Sequence, residues 1–114
     1  VDTQHMMTLE SLINKQFKNN RSVVDYAAQL YMTPQNLNRI TKKAMGKSVS
    51  ELINEKLIIE IKRYLVYTDM SSEEIAHFFN FYDNSYFTKT FKKAVGETPK
   101  AFRKKQKELF FPTK

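Results

Sequence analysis

The chain has two glycines, Gly46 and Gly96, and they stand fifty residues apart. Much of the sequence around them repeats at the same interval. Leu37 matches Phe87, Arg39 matches Lys89, Lys42-Lys43 matches Lys92-Lys93, and Ala44 matches Ala94. Upstream the offset drops to forty-nine: Ala27 matches Ala76, Leu30 matches Phe79, and Met32 matches Phe81. The second copy therefore carries one extra residue just before its second half. A chain with this repeat is expected to fold as two similar units.

The punctuation says what the units are made of. Helix starts are marked by Ser22 with Asp25, Thr33-Pro34, Ser48 with Glu51, Ser71 with Glu74, Asp83, and Thr98-Pro99. All but Asp83 pair an N-cap side chain with an acidic residue three places on, or with proline at the first helical position; Asp83 can cap the segment that follows it by its own carboxylate. Gly46 and Gly96 each end an apolar-periodic run, where a left-handed residue closes a helix. No stretch alternates with period two for long enough to argue a strand. The reading is an all-α chain of about seven helices, near 6–19, 22–30, 34–45, 49–67, 72–79, 84–95 and 99–108. Residues 1–47 and 69–114 are the expected subdomains, and 48–68 the helix that joins them. That linker spans about 28 Å at 1.5 Å per residue. Ile53, Leu57, Ile61, Tyr64 and Leu65 form its expected buried stripe.

Each copy is thus a short helix, a tight turn and a second helix, the helix-turn-helix arrangement. Ala27 and Ala76 are small enough to let the helices cross closely, and Leu30 with Leu37, or Phe79 with Phe87, form the expected inner wedge. Phe78, Phe81 and Phe91 are likewise expected in the core, while Tyr82 and Tyr86 are candidates for exposed positions. The second helix then turns a polar face outward: Gln35, Asn38, Arg39 and Lys42 in one copy, Ser85, Thr88, Lys89 and Lys92 in the other. Arg and Lys can reach guanine O6 and N7, and Asn and Gln can pair with adenine N6 and N7. Lys42, Lys43, Lys92 and Lys93 lie one turn further on, where they suit phosphate. The helix start at Thr33 offers N–H groups to a phosphate oxygen; the start at Asp83 brings its own negative charge. The expected linker length, with the radius of the flanking helices, can meet the roughly 34 Å between successive major-groove faces.

Charge supports a polyanion as partner. The net charge is +7, yet Val1 to Asp83 holds ten basic and ten acidic residues. The excess lies in Asn84 to Lys114, where nine basic residues, ending in Lys114, face Glu97 and Glu108. Such a patch draws nucleic acid by counterion release.

Other functions find little support. Without cysteine there is no disulfide, thiolate metal site or cysteine nucleophile. His5 lies near the terminus; Glu73 and Glu74 precede His77, but helix caps and solvent faces explain them better than a metal site, and no glycine-rich phosphate loop exists. No metal, cofactor or enzyme activity is expected. No apolar run approaches the roughly 20 residues of a membrane span, so no membrane partner is expected and a cytoplasmic location fits. An RNA-binding module usually stacks bases on aromatic platforms in sheets or uses loops, and this chain has no predicted strand. A protein-interaction module of the same fold is the remaining alternative; it would use the polar helix faces on protein instead of DNA.

The chain resembles the AraC/XylS family of bacterial transcription regulators over about residues 6–108. The second copy carries the strongest resemblance: Ile75-Ala76 through Phe81, Asp83-Asn84-Ser85-Tyr86-Phe87, Phe91-Lys92-Lys93, Gly96, Thr98-Pro99 and Phe102-Arg103. The first is looser, with Ala27, Leu30, Thr33-Pro34, Leu37, Arg39, Lys42-Lys43 and Gly46, and the segment from Ile53 through Leu57 is similar to the family's linker helix. The resemblance implies double-stranded DNA bound through successive major grooves. It implies base contacts from Gln35, Asn38 and Arg39, and from Asn84, Ser85, Thr88 and Lys89. Thr33, Lys42, Lys43, Tyr86, Lys92 and Lys93 are the corresponding phosphate candidates. It also implies transcription regulation, usually activation through contact with RNA polymerase. A sensor or dimerisation domain is expected elsewhere in a longer protein, as the lack of Met at position 1 suggests. Three departures from the family pattern bear on structure. Tyr31 and Asn80 stand where glycine is usual in the turns. Ile61 stands where a small alanine is usual, which predicts looser or rearranged packing. Lys89 stands where arginine is more usual, which predicts weaker base discrimination and a larger phosphate share.

Overall fold

Side-chain caps close the starts of the helices at the positions marked in the sequence. In a computed structural model that describes residues 2–111, the hydroxyls of Ser22, Thr33, Ser71 and Thr98 and the carboxylate of Asp83 each accept an N–H three residues on. Ser48 does the same for Glu51, whose carboxylate returns to the Ser48 N–H. Each such bond satisfies a donor that the first turn of a helix leaves without a partner. Val1, Pro112, Thr113 and Lys114 lie outside the described residues, and with them the last charge of the basic tail.

Among the described residues there are seven helices and no strand. They are α1 (Asp2–Gln16), α2 (Val23–Gln29), α3 (Pro34–Met45), α4 (Val49–Tyr67), α5 (Ser72–Phe78), α6 (Asn84–Val95) and α7 (Pro99–Phe110). The first helix differs from the sequence reading at both ends. It begins earlier, with Asp2 in its first turn, where a carboxylate suits the helix dipole. It stops before Asn19 and Asn20 because Asn20 folds back: its Nδ2 donates to Gln16 and Asp25, and its carbonyl accepts the Tyr26 hydroxyl at 2.8 Å. At the other end of the chain, α7 runs on to Phe110.

The chain divides into two compact units, with the division inside α4 between Leu57 and Ile58. In the first unit Leu9 and Ile13 of α1 pack with Tyr26, Ala27, Leu30, Leu37, Val49 and Ile53. Leu37 is fully buried, so truncating it to alanine would cost about 2–5 kcal/mol. The second unit has an aromatic core. Phe81, Phe87, Phe91 and Phe102 follow one another at centroid distances of 5.1, 6.5 and 5.5 Å. Phe78, half-buried, stacks on Tyr64 at 5.0 Å. Ile61, where a small alanine is usual in the family, is fully buried.

The two turns are built alike. After α2, the Met32 N–H reaches Ala27 O and the Tyr31 N–H reaches Ala28 O, both at 3.0 Å. After α5, the Phe81 N–H reaches Ala76 O at 2.9 Å and the Asn80 N–H reaches His77 O at 3.0 Å. This is the Schellman arrangement, which needs a left-handed residue at its centre. Tyr31 and Asn80 supply it, with φ of 58° and 62°. The first turn therefore keeps its geometry despite a tyrosine at the glycine place. The extra residue of the second turn is Tyr82, which is fully exposed.

An ion pair repeats as well, with its charges exchanged. Lys47 pairs with Glu55 in the first unit, and Glu97 with Lys105 in the second.

Candidate nucleic-acid interface

α3 and α6 are held by their apolar sides. Leu37, Ile40 and Thr41 of α3 are buried, as are Phe87 and Phe91 of α6. Each helix starts at a side-chain cap and ends at a left-handed glycine, Gly46 at φ 71° and Gly96 at φ 95°. What remains outward is one polar stripe on each helix.

On α3 the exposed residues include Gln35, Asn36, Arg39, Lys42 and Lys43. Gln35, Arg39 and Lys42 recur at helical spacing along the centre of the stripe. Lys43 lies to one side, beside Ile40 and Ala44, lining a shallow groove with Asp2, Thr3 and Met6 of α1. Thr33 is exposed, but its Oγ1 is engaged by the Asn36 N–H at 3.1 Å.

Asn38 differs from the sequence reading. It is half-buried, and its Oδ1 accepts the Val49 N–H at 2.9 Å. The oxygen that would face an adenine amino group closes the start of α4 instead. The residue that sequence reasoning missed is Asn36, which is exposed and accepts a hydrogen bond from Arg39 Nε at 3.0 Å. Its signal was its position three residues before an arginine on the same helix.

On α6 the exposed residues include Asn84, Ser85, Tyr86, Lys89, Lys92 and Lys93. Thr88, which matches Asn38, is half-buried. Asp83 accepts the Tyr86 N–H at 2.7 Å, so this helix start carries its own anion. The Tyr86 ring stands 6.0 Å from Phe81 and is more than half exposed.

Several basic residues are engaged within the fold. Lys47, Arg63, Lys105 and Lys107 are ion-paired. Arg103 donates to Leu65 O and Thr68 O, so it closes the end of α4 and is spent on the fold. Among the described residues, Lys42, Lys43, Lys89, Lys92 and Lys93 have no ion pair. Lys100 and Lys104 on α7 also have no ion pair among the described residues, while Arg39 on α3 pairs with Asp2 at 3.7 Å. Among the described residues no cluster of His, Asp or Glu could hold a metal ion, and no helix is long and apolar enough to cross a membrane.

A family model described as a helix-turn-helix domain matches residues 26–105. The transcriptional regulatory protein YesN of Bacillus subtilis strain 168, itself uncharacterized, is 34% identical over 99 residues, which span 83% of this chain and 27% of that protein. The chain spans between 13% and 50% of three further bacterial relatives. A transcriptional regulator from Chromobacterium violaceum, of the AraC-type DNA-binding domain-containing proteins, superposes with a TM-score of 0.82 at 20% identity, covering 91% of this chain and 93% of that one. The DNA-binding domain of AdpA, a global transcriptional factor solved with a target DNA, superposes with a TM-score of 0.82 at 18% identity, covering 95% and 96%. With its two capped helix pairs, glycine stops and outward polar stripes, the chain belongs to the AraC-type helix-turn-helix family, the DNA-binding domains of transcription regulators.

Proposed function

We propose that the chain reads an asymmetric duplex site with both units, α3 in one major groove and α6 in the next. The observation that carries this reading is the repeat of an exposed polar stripe on the second helix of each unit, whose lysines have no ion pair among the described residues. In the first unit Gln35 and Arg39 take the base edges, and Asn38 takes little part because its oxygen is engaged by Val49. In the second unit Asn84, Ser85, Thr88 and Lys89 are the base candidates. Thr33, Lys42, Lys43, Tyr86, Lys92 and Lys93 meet the phosphates, with Lys43 at the margin of the α3 stripe. The AdpA domain, of the same fold, was solved on its target DNA, which supports the partner.

The whole protein regulates transcription in this reading, with activation through RNA polymerase and a sensor or dimerisation domain outside this segment. It works in the bacterial cytoplasm, at the nucleoid when bound. Two units in one chain can make two groove contacts without a dimer.

Selection from a randomised duplex library at two salt concentrations tests the reading. The expected result is an asymmetric site with two short blocks about one helical turn apart. A single block would mean that one unit alone reads bases. Salt-sensitive binding with no enriched sequence would rule out base reading by either unit.

A further inference from the structure

Arg39 differs from its counterpart on α6 in being held before any DNA arrives. Its Nε donates to Asn36 Oδ1 at 3.0 Å. Its Nη1 lies 3.7 Å from a carboxylate oxygen of Asp2, on α1. A guanidinium carries five N–H donors in one rigid plane. Engaging Nε sets the rotation of that plane. Asp2 lies beyond hydrogen-bond distance of Nη1, so the far edge, Nη1 and Nη2, is left to face the O6 and N7 of a guanine, the pairing that a bidentate contact requires. An arginine oriented in advance also has less side-chain freedom to lose on binding.

The second unit has no such device at the matching place. Lys89 stands for Arg39 and Tyr86 for Asn36. An ammonium is a compact charge with freely turning donors and has no plane to orient.

We infer that Asn36, backed by Asp2, is a positioning residue that sets the Arg39 plane for reading one guanine. The inference rests on the reading of Arg39 as a base contact, and it makes the first unit the more selective of the two.

Library selection with the wild type and Arg39→Ala first identifies the base pair that Arg39 reads. Affinities for the four bases at that pair are then compared in Asn36→Ala, Asn36→Asp and Asp2→Ala. Asn36→Ala removes the acceptor and substitutes a better helix former; Asn36→Asp keeps an acceptor. The wild type should prefer guanine by about tenfold or more. Asn36→Ala should lose about threefold or more of that preference, with affinity for random DNA unchanged. Asn36→Asp should keep the preference at lower overall affinity, and Asp2→Ala should lose a smaller part of it.

An unchanged preference in Asn36→Ala overturns the inference. So does loss of preference at a different base pair, which would make Asn36 a base contact in its own right. A rise in affinity for every sequence in Asp2→Ala, with selectivity unchanged, would make Asp2 a competitor of DNA and overturn its share. If Arg39→Ala alters no base preference, the reading of Arg39 itself has failed and the inference falls with it.

Discussion

Asn38 Oδ1 accepts the Val49 N–H at 2.9 Å, so a side chain on α3 closes the start of α4. The Val49 amide is one of the donors that a first helical turn leaves without a partner. In the second unit the matching pair is Thr88 and Pro99. Proline has no N–H to satisfy, and the amide side chain is absent there too. Asn38→Ala should therefore destabilise the first unit by about 1–2 kcal/mol, while Thr88→Ala should cost much less. Chemical denaturation and hydrogen exchange at the Val49 amide measure this, with faster exchange expected in Asn38→Ala. Full stability with loss of preference at one base pair would make Asn38 a reader of DNA after all.

Tyr31 holds φ at 58° with its side chain 97% exposed. A left-handed backbone costs an ordinary residue about 1–2 kcal/mol, and so exposed a ring gains little from packing. Glycine relieves the strain but adds about 0.5–1 kcal/mol of chain entropy in the unfolded state. Tyr31→Gly should thus raise stability by about 0.5–1 kcal/mol, and Asn80→Gly by less, because asparagine tolerates this region. The reverse holds at Gly96, at φ 95°, where an added Cβ would meet no atom within 4 Å. There Gly96→Val should destabilise through backbone strain alone. Denaturation midpoints at constant slope decide both. A lower midpoint for Tyr31→Gly would mean that the tyrosine ring stabilises the turn.

Helix starts and stops were the most legible part of this chain because they are local. A cap needs only a hydroxyl or carboxylate three residues from the N–H it accepts, so Thr33, Asp83 and Thr98 could be assigned from spacing. The repeat carried the register of the turns, and Tyr31 and Asn80 occupy the left-handed positions where the family usually has glycine. What escaped the sequence was long-range or depended on which way a side chain turns. Asn38 lies at the edge of the outward stripe on α3, and only the folded start of α4 brings Val49 to its oxygen. Arg103 stood in the signature segment with no role attached; its donors end on Leu65 and Thr68, more than thirty residues away. The end of α1 was missed because Asn20 breaks it through contacts with Gln16, Asp25 and Tyr26, and no glycine or proline marks the place.

The two capping boxes make stability depend on acid. Glu51 is held below its ordinary carboxylate range by the Ser48 N–H and then by the Ser48 hydroxyl, and Glu74 likewise by Ser71. A carboxylate with a lowered folded value stabilises the fold above its unfolded value, here 4.5. That contribution is lost as pH falls through the folded value. The melting temperature of the wild type should therefore fall below about pH 4.5. Glu51→Gln with Glu74→Gln should flatten part of that fall, since the glutamines stay uncharged throughout. Superimposable pH profiles for the two proteins would show that the boxes do not couple folding to protons.

Lys92 and Lys107 offer the same charge in opposite circumstances. Lys92 is exposed on the last turn of α6 and has no ion pair among the described residues. Lys107 is spent within its unit: its Nζ donates to Asp69 at 3.2 Å and to Thr68 O at 3.4 Å. A lysine that meets a phosphate releases a counterion, and its loss lowers the slope of log affinity against log salt by about one. Lys92→Ala should show that drop and weaken all sequences alike. Lys107→Ala should leave the slope unchanged and weaken the contact between α7 and the end of α4 instead. Binding measured across a salt series with both variants separates the cases. A wild-type slope in Lys92→Ala would remove that residue from the phosphate contacts, and a reduced slope in Lys107→Ala would extend the DNA footprint onto α7.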